Sequence, residues 1–280
     1  MTQIGIIGLI LMVANLAFSY KGFKDPLFFN RYKFEVEAIL QFKDYKRLLT
    51  SGFLHVSWMH LLFNMLSLYF FSSLIEQSLG PVRFLIIYFG SLLGGDLLAL
   101  FVHRHHGDYS SVGASGAVCG IIFASIAVFP DLGLSLFGLP ISIPGWLYGL
   151  LFVLYSIYGI RSAKDNVGHE AHLGGALVGI ILAVIMEPSA LKNNYTPILI
   201  IVVPTLLFIY LIIKKPGAVM VDNHYYNTHK VYFDIDDRYN EEKVNRQQEI
   251  DRILDKIGKK GIDSLTPKEK QALDDYSRRN

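Results

Sequence analysis

Gly113-Ala114-Ser115-Gly116-Ala117-Val118-Cys119-Gly120-Ile121-Ile122-Phe123-Ala124-Ser125-Ile126-Ala127-Val128-Phe129, closed by Pro130, is the stretch on which the fold turns. From Ser115 onward it is an uncharged run of small and apolar residues, which in a long apolar chain reads as a membrane helix. At a rise of ~1.5 Å per residue it falls short of a ~30 Å hydrocarbon core. Such a helix is either tilted and extended by its neighbours, or it begins below the membrane surface. Irregular backbone at that depth is tolerated only inside protein or beside a water-filled cavity. Ser115, the first residue of the run, is therefore expected at an unusual depth.

Six more apolar segments flank it: Ile4–Tyr20, Ser57–Ile75, Val82–Val102, Trp146–Ile160, His172–Met186 and Pro197–Ile213. With Ser115–Phe129 they predict an all-α membrane protein, a polytopic bundle of seven spans. The composition agrees, because 52% of the 280 residues are hydrophobic and only 18% are charged. Of the 26 basic residues 14 lie after Ile213, and of the 24 acidic residues 13 do, so the last quarter reads as a water-soluble tail. A net charge near zero argues against nucleic acid as a partner. Cys119 is the one cysteine, which excludes an intrachain disulfide and a thiolate metal site. No Lys or Arg precedes the first apolar stretch, so it is read as a retained helix rather than a cleaved signal.

The expected organisation is a six-helix core over residues 1–190, a seventh span to 215, a linker over 216–240 and a tail over 241–280. The connection from Lys21 to Leu54 carries both charge signs and several aromatics, so part of it is expected in the membrane interface. In the tail, Ile250, Ile253, Leu254 and Ile257 share one helical face. Thr266-Pro267-Lys268-Glu269 reads as a capping box opening a second helix, giving a small hairpin around Gly261.

Helices two, four and six run in the same direction, so their N-terminal ends share one side of the membrane. The costly polar residues cluster at those ends: His55, His60 and Asn64, then Ser115 within Gly113-Ala114-Ser115-Gly116, then His172. Small residues recur at four-residue spacing as Gly116, Gly120 and Ala124 on helix four and as Ala171, Gly175, Gly179 and Ala183 on helix six. Such stripes let membrane helices approach closely. If they face each other, Ser115 and His172 meet, giving a serine a base to activate it. The Ser115 backbone N–H, the Asn64 amide and the His60 ring are candidate donors to an oxyanion. No strand precedes Ser115, so a hydrolase nucleophile elbow does not fit.

These residues resemble the rhomboid intramembrane serine proteases. Arg47-Leu48-Leu49-Thr50, His55 and His60-Leu61-Leu62-Phe63-Asn64-Met65 are similar to that family's first-loop and second-helix motif. Gly113-Ala114-Ser115-Gly116 is similar to its serine motif, and Ala171-His172-Leu173-Gly174-Gly175 with Gly179 to its sixth-helix motif. Glu76, Leu79-Gly80 and Arg83-Phe84 follow the pattern after helix two, and the likeness covers roughly residues 40–187. The resemblance implies Ser115 as nucleophile and His172 as general base, with no third acidic member and no cofactor or metal. It implies His60 and Asn64 at the oxyanion hole, His55 in a lesser role, and transmembrane proteins in the lipid bilayer as substrates. The expected location is a bacterial plasma membrane.

Three departures stand out. Lys46 replaces the tryptophan often found beside the loop arginine, Cys119 stands where an aromatic ring often packs on the base, and a seventh span is added. The family arrangement implies a cytoplasmic N-terminus and a site opening outward, whereas Lys21, Lys24, Arg31, Lys33, Lys43, Lys46 and Arg47 favour the reverse by the positive-inside rule. Of the remaining polar residues, His103, His105 and His106 are read as a solvated loop rather than a metal cluster. His169 and Glu170 are read as loop residues, and Asp96 as a structural hydrogen-bonding group or part of a water path. A pseudoprotease binding membrane clients is the alternative function. A transporter would need more charge inside its spans than Asp96 alone.

Overall fold

The computed structural model describes residues 5–129, 131–135, 142–162 and 167–214, together with Ile253, Lys256 and Thr266. Among the described residues, the first of two compact units, Met1–Thr228, holds seven long helices. They are α1 (Ile6–Lys24), α2 (Trp58–Leu79), α3 (Pro81–Val102), α4 (Ser115–Val128), α5 (Gly145–Ser162), α6 (His169–Met186) and α7 (Tyr195–Lys214). Five of them, α1, α2, α3, α6 and α7, are long and apolar enough to cross a membrane, while α4 is shorter. The architecture is an all-α polytopic membrane bundle. In the second unit, His229–Asn280, only Ile253, Lys256 and Thr266 are described, so the expected linker and tail hairpin lie outside the described residues.

The short helix is the centre of the bundle. Every residue of α4 from Gly116 to Ala127 is buried, and α6 packs most extensively against α3 and α4. A helix enclosed by other helices has no need to match the bilayer thickness, which accounts for the length of α4. The outer helices instead expose apolar side chains, such as Leu9 and Val13 on α1, Leu62 and Phe63 on α2, and Val203 and Leu207 on α7. These are the surfaces that a bilayer covers.

The contact of α4 with α6 is made by the expected small residues. A Cβ on Gly175 would collide with the Gly116 carbonyl, and one on Gly179 with the Gly120 carbonyl. At the far end of α2, the Glu76 carboxylate accepts hydrogen bonds from the backbone N–H groups of Ile7 and Gly8, each at 3.0 Å. This carboxylate satisfies otherwise unpartnered donors at the positive end of α1.

The long first connection is folded, not slack. It contains helix Pro26–Tyr32, capped by Asp25, then helices Val36–Leu40 and Arg47–Thr50, and a 3-10 turn at Ser51–Phe53. Arg47 closes it by donating to the carbonyls of Asn30 at 2.9 Å and Lys33 at 2.8 Å and to the Asp44 carboxylate at 3.0 Å. A rigid guanidinium with several donors suits this task where a lysine would not. Lys46, the first departure from the family pattern, pairs with Asp44 at 3.1 Å and is half exposed. Two short antiparallel strand pairs interrupt the all-helical pattern, Phe34–Glu35 with Ser110–Ser111 and Gly133–Ser135 with Ser142–Pro144. The first pair anchors the long connection to the segment that leads into Ser115.

Three boundaries differ by three residues or more from those read in the sequence, and the first is the end of α2, at Leu79 instead of Ile75. α1 continues to Lys24, with the Lys21 and Lys24 ammonium groups over the rings of Phe28 and Tyr20. Long lysine stems of this kind let a helix run past its apolar stretch. α6 starts at His169 instead of His172, so His169 and Glu170 are not loop residues but buried members of its first turn.

Candidate active site

Ser115 is the first residue of α4 and His172 the fourth of α6. The Gly-on-carbonyl contacts bring the two helix starts together, and the Ser115 Oγ lies 2.7 Å from His172 Nε2. In the tautomer with Nε2 unprotonated, the hydroxyl donates to the ring, which is the geometry for deprotonating a serine. A cavity of about 710 Å³ opens on this pair, lined by His60, Asn64, Asp96, Gly113, Ser115 and His172 among others.

Gly113 leaves room beside Ser115. Its φ of +139° is a backbone region that side chains rarely adopt. A Cβ there would fall 2.9 Å from His60 Nε2 and 3.6 Å from Ser115 Oγ. The space over Gly113 therefore lies between a ring nitrogen and the serine oxygen, where a developing oxyanion would need a donor. Asn64 also lines the cavity, but its amide N–H donates to the His60 carbonyl at 2.9 Å within the same helix. That bond orients the amide and leaves its second N–H for the cavity.

His55 has a different place from the one the sequence indicated. It does not line this cavity but a neighbouring one, with Phe23, Phe29 and Trp58. The Ser19 hydroxyl donates to the Phe53 carbonyl at 3.0 Å, so it accepts from His55 Nδ1 at 2.8 Å. That leaves His55 Nε2 to accept from the Ala114 N–H at 3.5 Å. Both ring nitrogens are thus used to hold the turn before Ser115. Burial pushes the His55 pKa down to about 3, with His60 adding to the effect, so the ring is neutral. The Gly113 N–H donates to the Ser51 carbonyl at 3.1 Å, and the Ser51 hydroxyl donates to Asp96 at 3.1 Å. Asp96 is thereby a buried hydrogen-bonding group facing the cavity.

The aromatic partner of His172 comes from another helix. Cys119 is buried without offering a ring. Phe152 of α5 instead places its ring 6.0 Å from that of His172, tilted by 37°. The His169 ring stands edge-on to His172 at 6.1 Å and to Tyr155 at 5.0 Å.

Sequence reasoning missed Ser19, Ser51, Phe152, His169 and Glu170 as parts of this neighbourhood. For Ser19 a signal existed: with Gly8, Leu11, Asn15 and Gly22 it forms the buried face of α1, and a polar stripe in a membrane helix points inward. The solvated-loop reading of the histidines fails at His103, which is 1% exposed and pairs with Glu170. Among the described residues no group of three His, Cys, Asp or Glu side chains is arranged to hold a metal ion.

Comparison with known proteins agrees with this architecture. The family model "Rhomboid domain" matches residues 43–189, and the chain belongs to the rhomboid family. A "Family of unknown function (DUF6576)" matches residues 233–279. RHOMBOID-like protein 12, mitochondrial, of Arabidopsis thaliana is 29% identical over 194 residues, covering 63% of this chain and 56% of that protein. Rhomboid protein 1, mitochondrial, of Saccharomyces cerevisiae is 29% identical over 157 residues, 54% of this chain and 45% of that protein. The putative rhomboid protease YdcA of Bacillus subtilis is 29% identical over 141 residues, 49% of this chain and 65% of that protein. The chain thus spans between 45% and 65% of the length of these three curated relatives.

Proposed function

We propose that this protein is an intramembrane serine endopeptidase that hydrolyses peptide bonds in or near transmembrane helices of other membrane proteins. The observation that carries the reading is the 2.7 Å contact of Ser115 Oγ with His172 Nε2 beside an open cavity that His60, Asn64 and Asp96 also line. Ser115 Oγ attacks the scissile carbonyl carbon while its proton passes to His172 Nε2. The carbonyl oxygen gains negative charge beside His60 and the N–H groups at the start of α4. When the tetrahedral adduct collapses, the C–N bond breaks and the leaving amine takes the proton from His172. Water, deprotonated by the same ring, then cleaves the serine ester. A regular helix has its carbonyls hydrogen-bonded and crowded by flanking side chains, so a substrate must unwind locally to reach Ser115.

The tail unit, read as residues 241–280 behind a linker, carries no part of this chemistry. The relatives named above are mitochondrial in two cases and bacterial in one. They lend no support to a bacterial plasma membrane in particular, and the reading is of an integral membrane protein.

The test is cleavage of a transmembrane reporter by the purified protein in liposomes. Ser115→Ala and His172→Ala are each expected to abolish cleavage at unchanged protein level. Near-normal cleavage by either variant contradicts the reading. Capture of uncut reporter by the wild type, without turnover, favours a client-binding pseudoprotease.

A further inference from the structure

Tyr109 and Glu170 line the cavity over the dyad and His103 is buried against both, and the proposed chemistry uses none of the three. His103 ends α3, Tyr109 belongs to the segment leading to Ser115, and Glu170 sits two residues before His172 in the first turn of α6. The His103 Nε2 is 3.2 Å from the Glu170 carboxylate, and both side chains are buried, at 1% and 5% exposure. The other side of the His103 ring is committed as well. It stacks on Tyr109 with centroids 3.6 Å apart and planes 7° from parallel.

Helix ends favour this pairing. Glu170 stands in the first turn of α6 and His103 at the C-terminal cap of α3, the ends whose unpaired N–H and C=O groups favour an acceptor and a donor respectively. Burying two ionisable groups is costly unless they are paired in good geometry. A merely space-filling contact at this position would be met by apolar side chains. Tyr109 extends the connection: its carbonyl accepts from the Val36 N–H at 3.1 Å, and the strand pair beside it ends two residues before Gly113. One imidazole therefore touches both the helix that bears the base and the segment that delivers the nucleophile.

We propose that His103, Tyr109 and Glu170 form a buried clamp that sets His172 against Ser115, with His103 and Glu170 acting as positioning residues. The small-residue packing of α6 on α4 fixes how closely the helices approach. The clamp fixes the first turn of α6, where a side chain can drift while the rest of the helix stays packed. A misplacement of about 1 Å at a reacting group can cost ~100-fold in rate. Tyr109 and Glu170 also line the cavity over the dyad, so a positioning role is told from a lost substrate contact by kcat falling while KM holds.

The clamp rests on the protease reading, and one set of rates in liposomes separates the two. Glu170→Ala is expected to lower kcat about 10- to 100-fold with KM within about twofold of wild type, the mark of a loss confined to the reacting geometry. His103→Ala is expected to do the same, and the His103→Ala/Glu170→Ala double variant to be no slower than either single one. His103→Gln keeps a donor for the carboxylate and is expected to recover most of the rate. Should Glu170→Ala fail to fold, Glu170→Leu carries the same comparison, since it fills the space and offers no acceptor. A folded Glu170 variant with wild-type kcat, a rise in KM in place of a fall in kcat, or losses that multiply in the double variant would overturn the clamp. Wild type and Ser115→Ala run alongside. Cleavage that does not need Ser115 defeats the protease reading and the clamp together, whereas Ser115-dependent cleavage untouched by Glu170→Ala or Glu170→Leu defeats the clamp alone.

Discussion

Helix α6 makes two unlike contacts, and both converge on His172. Toward α4 it presents glycines whose missing side chains let backbone meet backbone, Gly175 on the Gly116 carbonyl and Gly179 on the Gly120 carbonyl. Toward α5 it presents rings, with His172 near Phe152 and His169 between Tyr155 and Gly159. The first contact is between rigid groups and has no tolerance for added atoms. The second is between side chains that rotate and can be exchanged for others of similar shape. The contrast teaches that the distance between Ser115 and His172 is set by backbone packing, while the orientation of the imidazole is set by rings around it.

The sharpest way to break this comparison is Gly175→Leu. Its Cβ alone would overlap the Gly116 carbonyl, which cannot rotate away, and overpacking of this kind costs about 1–3 kcal/mol or more. Loss of folded protein, or a cleavage rate reduced more than ~100-fold, is expected. Protein level in membranes and reporter cleavage measure the two. Wild-type behaviour would mean that α4 and α6 can separate without consequence.

A smaller effect is expected on the ring side. Phe152→Ala should lower the cleavage rate about 3- to 10-fold, matching the ~0.5–1.5 kcal/mol that aromatic pairs contribute, while Phe152→Tyr should stay near wild type. Cleavage rates of the two variants at equal protein level decide it. A loss as large as that of Gly175→Leu would erase the distinction between the two contacts.

The two contacts were not equally legible in the sequence. Four-residue spacing of Gly116 and Gly120, and of Gly175 and Gly179, survives any choice of helix boundary, so the α4–α6 contact could be read directly. The polar residues at the starts of helices two, four and six were legible for the same reason, because direction follows from counting spans. Phe152 carried no signal, since one aromatic among many in an apolar helix has no reason to be singled out. His103 and Glu170 misled, because polar residues near helix ends ordinarily face water. Only the fold shows that each buries the other. Glu170 beside two histidines at the start of an apolar run was the available clue, since an ionisable group there calls for a partner.

A third expected effect is on stability, not rate; it concerns the turn that carries Ser115, and it depends on pH. His55 is neutral in the folded protein, with its pKa pushed down to about 3, and titrates near 6.5 when unfolded. Between those values the unfolded chain binds more protons, so stability falls as pH falls. From pH 7 to pH 5 the loss should be about 1–2 kcal/mol, read as a drop in thermal midpoint in detergent. His55→Gln, which cannot take up a proton, should be less stable at pH 7 but show a flatter pH dependence. Equal slopes for the two proteins would remove His55 from the support of the turn.

The central claim is that His172 makes Ser115 a nucleophile. Treatment of the liposome-embedded protein with a fluorophosphonate, followed by peptide mass analysis, tests it without any substrate. The account predicts a single phosphonylated serine, at position 115, whose labelling is lost in His172→Ala while that variant remains folded. Labelling of Ser115 at the wild-type rate in His172→Ala, or no labelling of Ser115 in the wild type, would contradict it.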